Sequence, residues 1–495
     1  MIDSLSRRNF IKASGIALGS TALPATPMVA SAATAKALAS NPPDVTRQLA
    51  SWVVSSEWSD IPERTRYEAV RSIFNWVGCC LGGARHETTN RAIAALAEFS
   101  GKPEATVMGR NERLDIMHAA LLNGITSHVL DYDDTHLDTI IHPAGPVASG
   151  LLALAEKHDV SGKDFVHAFI LGVEAECRIG LAVYPSHYER GFHITGTAGV
   201  FGSAVACGKL LGLNEQQMIW AMGIAATQSA GLKEMFGTMC KSFHVGSAGQ
   251  NGLKAALLAG KNFTSSPGVL EAKEGFAFTY SDEQDFSQIT DELGARWETD
   301  KNTYKPFSCG IVTHPIIDGC IQLRNDHNLK AEQIEKVSLR VNPLVIKLTG
   351  KKTPQTGLEA KFSIFYISAA AVVTGVAGPN QFTDEAVRMP EVVALRDRVE
   401  ATVDEDVSEE EAFVSITLRD GTVHSTHIEN AIGSVQRPLT KEHLEQKFAD
   451  QAKTALPMSQ IEEVMALCWE IENLDLVGEV ARASAAVDNE PPVPA

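Results

Sequence analysis

Residues 127–145 read SHVLDYDDTHLDTIIHPAG. The stretch carries carboxylates at Asp131, Asp133, Asp134 and Asp138 and imidazoles at His128, His136 and His142. A tyrosine and two threonines lie among them, and a Pro and a Gly end the run. The flanks are apolar, MHAALLNGIT before it and PVASGLLALAE after it. Charge in an apolar setting is costly unless paired, so a cluster of titratable groups there marks a candidate site. The plainer alternative is an Asp-rich helix cap followed by an ordered polar turn.

Three chemistries fit such residues. His and Asp at close spacing are ligand types for hard or borderline metals, but no HExxH, EF-hand loop or His pair at i, i+4 is present, so no metal is expected. A nucleophilic hydrolase lacks its GxSxG elbow. Proton abstraction beside a carboxylate needs an imidazole or similar base, a general acid, and cations to hold the carboxylates and the charge that develops. The chain offers these at separate breaks between its helices: His142, His193, Lys241 with His244, and Lys305 with His314. Each alone has a bland reading, a packed histidine or a lysine complementing a helix end. A binding protein for carboxylates is the rival from another class, and so many proton-transfer groups together argue against it.

The elements that must position these residues are mostly helices. Apolar residues recur at helical spacing over 45–81, with an interruption at 59–62, and again over 91–99, 114–131, 145–158, 162–184, 198–211 and 215–230. Residues 231–252 are low in periodicity and read as a break before a short helix at 254–261. The style changes near Pro267: 335–342, 400–404, 412–418 and 423–428 alternate or are β-branched, with 419–422 as a hairpin turn and helical patterns at 311–326 and 361–376. Helices resume at residue 441. The expected fold is mainly α: a large all-helical domain (44–266), a smaller α+β lid (267–436), returning C-terminal helices (437–484) and a frayed tail (485–495).

Among 495 residues the formal net charge is −18, which leaves no basic face for nucleic acid. Residues 1–33 read as a twin-arginine export segment, with Arg7 and Arg8 ahead of a mildly apolar stretch and a small-residue cleavage site at 30–32. This predicts a periplasmic or secreted protein. No other run is apolar enough to span a bilayer. The eight cysteines show no CxxC spacing and read as reduced, buried residues.

Several long motifs together resemble the MmgE/PrpD family: SHVLDYDDTH with HPAG, GVEAECRIG, GFHITGTAGVFGSAVACGKLLGL, GIAATQSAGLKEMFGTMCKSFHVGSAGQNGLKAALLA and KPFSCGIVTHPIID. The resemblance covers about 45–471. It implies a helical domain made from both chain ends with an inserted α+β lid, a homodimer, and a site between domain and lid that needs no cofactor. It also implies a small polycarboxylate substrate and a hydro-lyase of the 2-methylcitrate dehydratase type, with epimerase or decarboxylase as alternatives. Carried over by position, Asp131 and Thr135 match the DxDDT motif, His142 the following HP histidine, and His193 the GFH histidine. Lys241 and His244 match the K-x-x-H loop, Lys305 and His314 the K-P…C…H segment, and Tyr366 the aromatic at the lid helix start. The implied roles are His142 or His193 as base, Asp131 orienting an imidazole, and Tyr366 as acid or lid contact. Lys241, His244 and Lys305 would neutralise carboxylates, with Thr135 and His314 as further substrate contacts. Two features depart from the pattern: the export segment, and Ser242-Phe243 in place of Pro-Leu in the K-x-x-H loop.

Overall fold

The structure, a computed structural model, describes residues 44–486. The expected export segment and nearly all of the expected tail lie outside these residues. The fold is mainly α with small sheets, as expected.

The centre of the helical part is Cys240–Ala259, a 20-residue helix packed against Ile116–His128, Ala144–Lys157 and Ile194–Leu210. This corrects the reading of 231–252 as irregular. Gly246 and Gly249 look like helix breakers, yet each marks a close approach of backbones. A Cβ on Gly246 would lie 2.2 Å from the Leu121 carbonyl oxygen, and one on Gly249 2.4 Å from Ser149 Oγ. The packing outweighs the roughly 1 kcal/mol that each glycine costs inside a helix.

Four strands form the main sheet in the order Val399–Val403, Ile334–Val341, Ala412–Leu418, Val423–Ile428. The first two are parallel and the other pairings antiparallel. Ile334–Val341 buries alternate residues. Helices His314–Asp326 and Ile364–Thr374 share an apolar core with the sheet. After the sheet, Lys441–Ala452 and Met458–Trp469 return to Glu63–Gly83, where Phe74 lies 4.7 Å from Phe448 and 4.3 Å from Trp469 between ring centroids.

One short pairing matters more than its size. Asp134–His136 lies antiparallel to Asn302–Tyr304, with Thr135 opposite Thr303. It ties the acidic stretch to the segment carrying Lys305.

Candidate active site

Asp115 caps the helix Ile116–His128 by accepting from the backbone N–H groups of Met117 and His118. The helix ends at His128, and three residues later Asp131 takes a left-handed backbone with φ of 49°. That region is open to Asp at modest cost and turns the carboxylate back toward the helix ends. Its Oδ2 lies 2.9 Å from Lys241 Nζ, and its Oδ1 accepts a hydrogen bond from Lys305. All three residues are buried. Burial alone would raise Asp131, but the two ammonium groups hold it well below the usual carboxylate range. They fare differently. Burial wins at Lys241, which is lowered, while Asp131 and Asp133 overcome burial at Lys305 and raise it.

Four imidazoles stand beside this triad. His128 Nδ1 lies 2.7 Å from Asp133 Oδ2. His142 Nδ1 lies 2.7 Å from the Asp134 carbonyl oxygen, with Thr135 Oγ1 at 3.3 Å. A carbonyl only accepts, so His142 carries its proton on Nδ1 and keeps the Nε2 lone pair. Ring centroids of His128 lie 4.8 Å from His142 and 5.8 Å from His193. His193 Nδ1 is 3.0 Å from His244 Nδ1, while His193 Nε2 is buried with no hydrogen-bond partner. Burial first, then neighbouring lysines and imidazoles, push His142 and His193 well below the ordinary histidine value, and His244 down to about 4. All are neutral bases near pH 7.

These residues face a cavity between the helical and sheet-bearing parts. Asp131, His142, His193, Lys241 and Lys305 line it together with Ile140, Tyr188, Ile311, Val312 and Leu348. His128, Asp133 and His142 could offer three metal-ligand atoms within 4.8 Å of one another. However, the hydrogen bonds above already engage Nδ1 of both histidines and Oδ2 of Asp133, an arrangement for holding protons.

The structure thus brings Asp131, Thr135, His142, His193, Lys241 and Lys305 together, with His244 behind His193. His314 lines an adjacent cavity beyond Ile311 and Val312, and burial and then the Lys305 ammonium bring its value down to about 3. Tyr366 is apart. Its phenol donates to the Gln381 carbonyl inside the core of the sheet-bearing part. The reason is local, because Ile364–Thr374 is buried over most of its length and turns Tyr366 toward its own core.

Sequence reasoning overlooked Lys361, which donates to the carbonyls of Leu130 and Ser308, each at 2.6 Å, and to Ser308 Oγ at 2.9 Å. Burial outweighs the opposing Asp131 charge and lowers its amine to about 7. A lysine before an apolar helix resembles a solvated flank.

Comparison with known proteins gives the family. The model of the MmgE/PrpD N-terminal domain matches residues 47–289, and that of the C-terminal domain matches 307–471. The chain belongs to the MmgE/PrpD family. A cis-aconitate decarboxylase of Homo sapiens is 26% identical over 452 residues, covering 87% of this chain and 92% of that protein. One of Aspergillus terreus is 28% identical over 461 residues, covering 87% and 94%. The mitochondrial 2-methylcitrate dehydratase of Yarrowia lipolytica is 24% identical over 442 residues, covering 81% and 82%. No helix among the described residues is long and apolar enough to cross a membrane.

Proposed function

We propose that this family member is a lyase acting on a di- or tricarboxylic acid by proton transfer at the carbon beside a carboxylate, with its own side chains as the reacting groups. One observation carries the reading. His142 has its Nδ1 proton fixed on a backbone carbonyl and its Nε2 lone pair available, beside two buried lysines that share one aspartate.

Lys241 and Lys305 hold the substrate carboxylates and the negative charge that grows during reaction. Asp131 keeps both ammonium groups buried and aligned. His142 or His193 removes or returns the proton. A bound polycarboxylate supplies the anion that would stabilise an imidazolium here, so the base strengthens when substrate arrives.

Decarboxylation of an acid of the cis-aconitate type is the first reading, because relatives of that name match more of this chain at slightly higher identity. Dehydration of a 2-methylcitrate-type acid, the expectation from sequence, is the second. The test is incubation of the full chain with cis-aconitate, 2-methylcitrate and citrate in deuterated water, followed by NMR. Release of CO2 with deuterium on the product carbon supports the first reading, and loss of water from 2-methylcitrate or citrate without release of CO2 the second. Exchange without net loss points to an epimerase, and tight binding of all three with no exchange would sink the lyase reading. Export through the twin-arginine route is proposed on the sequence alone, and N-terminal sequencing of protein from the periplasm would find a chain starting near Ala33.

A further inference from the structure

His193 and His142 differ in one respect that matters for proton traffic. His142 Nδ1 is bound to a backbone carbonyl, which cannot accept a proton permanently, so its tautomer is locked. His193 Nδ1 faces another imidazole nitrogen at 3.0 Å, His244 Nδ1, and one of the two must carry the hydrogen. If His193 carries it, His193 Nε2 is a base. If His244 carries it, His193 Nε2 bears a proton and is an acid.

The chain is built to permit this approach. His193 precedes the helix Ile194–Leu210, and His244 lies near the start of Cys240–Ala259. Gly196 and Gly231 fill the space between: a Cβ on Gly196 would lie 3.0 Å from His244 Cβ, and one on Gly231 3.4 Å from both His193 Cβ and His244 Cγ. Phe236 packs edge-on against His193 at 5.1 Å. The titratable groups facing the pair are Lys241 on the helix of His244, His128 at the end of its own helix, and His142. None offers a compensating negative charge. His244 keeps 8% of its surface exposed against 2% for His193, so it is the less buried member.

We propose that His193 and His244 form a two-imidazole proton relay, with His244 a positioning residue that never touches substrate. This rests on the lyase reading above. As the C–H bond beside the carboxylate breaks, its electron pair stays on the substrate and its proton goes to His193 Nε2. The His193 Nδ1–H bond then breaks as His244 Nδ1–H forms. His193 is left neutral with its proton on Nε2, and the positive charge rests on His244, whose own Nε2 already holds a proton. Running backward, the same steps deliver a proton. This replaces the expectation that His244 neutralises a substrate carboxylate.

The test is His244→Asn, which keeps a hydrogen-bonding atom near the Nδ1 position and cannot take up a proton. With cis-aconitate and 2-methylcitrate as probes, kcat is expected to fall about 100-fold. KM should stay within about twofold and the thermal midpoint near that of the parent, while the acid limb of the pH–rate profile shifts. In the unliganded parent, nitrogen-15 NMR should show one proton shared between two imidazole Nδ1 atoms, and that signal should vanish in the variant. Unchanged kcat with raised KM would overturn the relay and restore His244 as a carboxylate contact. Absence of the shared-proton signal in the parent would also overturn it. The parallel variant His193→Ala separates the two claims. If it abolishes turnover while His244→Asn does not, only the relay fails, and if it too leaves turnover intact, the relay fails with any role for His193 as base.

Discussion

Two clusters of acids and bases, each built on a buried carboxylate, flank the same short strand pairing. One is Asp131 with Lys241, Lys305 and the four imidazoles. The other is Glu298, held by His136 Nε2 at 3.1 Å, Lys301 at 2.9 Å and Arg296 at 2.9 Å, with Asp138 also on Lys301 at 3.0 Å. In the second cluster every charge has its counterion and both His136 nitrogens are engaged, Nδ1 with Thr139 Oγ1. In the first, basic nitrogens have no partner and face a cavity. Buried charge alone therefore does not mark a site. Unspent proton-transfer capacity beside an empty space does.

The comparison can be broken most directly by Asp131→Ala. Two buried ammonium groups would lose their shared counterion, with an expected cost of about 3–5 kcal/mol and loss of at least ~10³-fold in turnover. Glu298→Gln should cost only about 1–3 kcal/mol and leave kcat unchanged, because its cations reach solvent. Denaturant melts and steady-state rates on both variants decide this, and equal loss of turnover would erase the distinction. His142→Ala should lower kcat by about 10²–10⁴-fold with little change in melting temperature. Lys241→Met leaves the Lys305–Asp131 pair intact and should raise KM for a polycarboxylate about tenfold, roughly 1.4 kcal/mol, as measured by initial rates.

Acid sharpens the contrast. His244 titrates folded at about 4 and His314 at about 3, against about 6.5 unfolded. The unfolded chain binds more protons across that window, so their contribution is complete above pH 6.5 and is lost as pH falls toward 4. Thermal midpoints measured from pH 7 to pH 5 should decline. Asp134 runs the other way, raised to about 7 by burial and then by Asp133. Its folded value lies above the unfolded one, so stability is lost as pH rises from about 4 through 7. Asp134→Asn should match the parent at about pH 4 and below, and melt higher than it above pH 7.

Much of this was legible from the chain. The strand Ile334–Val341 showed itself by alternation, because one face must be buried. The acidic stretch showed itself by being charged between apolar flanks. The helix carrying Lys241 and His244 was hidden because glycine at a helix crossing and glycine in a loop are the same letter. The pairing of Asp134–His136 with Asn302–Tyr304 is three residues long and joins distant segments, so no local pattern announces it. Tyr366 misled because its motif gives its neighbours in the chain but not the direction of its ring.

The return of the last helices to the first has a consequence in time. Lys447, buried in Lys441–Ala452, donates at 2.7 Å to both Asn75 Oδ1 and the carbonyl of Tyr132, the residue after Asp131. The turn that presents Asp131 is thus clamped from a helix 315 residues further along the chain. A nascent chain still tethered at residue 440 has made every group that lines the pocket and lacks the brace that sets them. Activity should therefore be gained only once residues 441–452 have been made and docked.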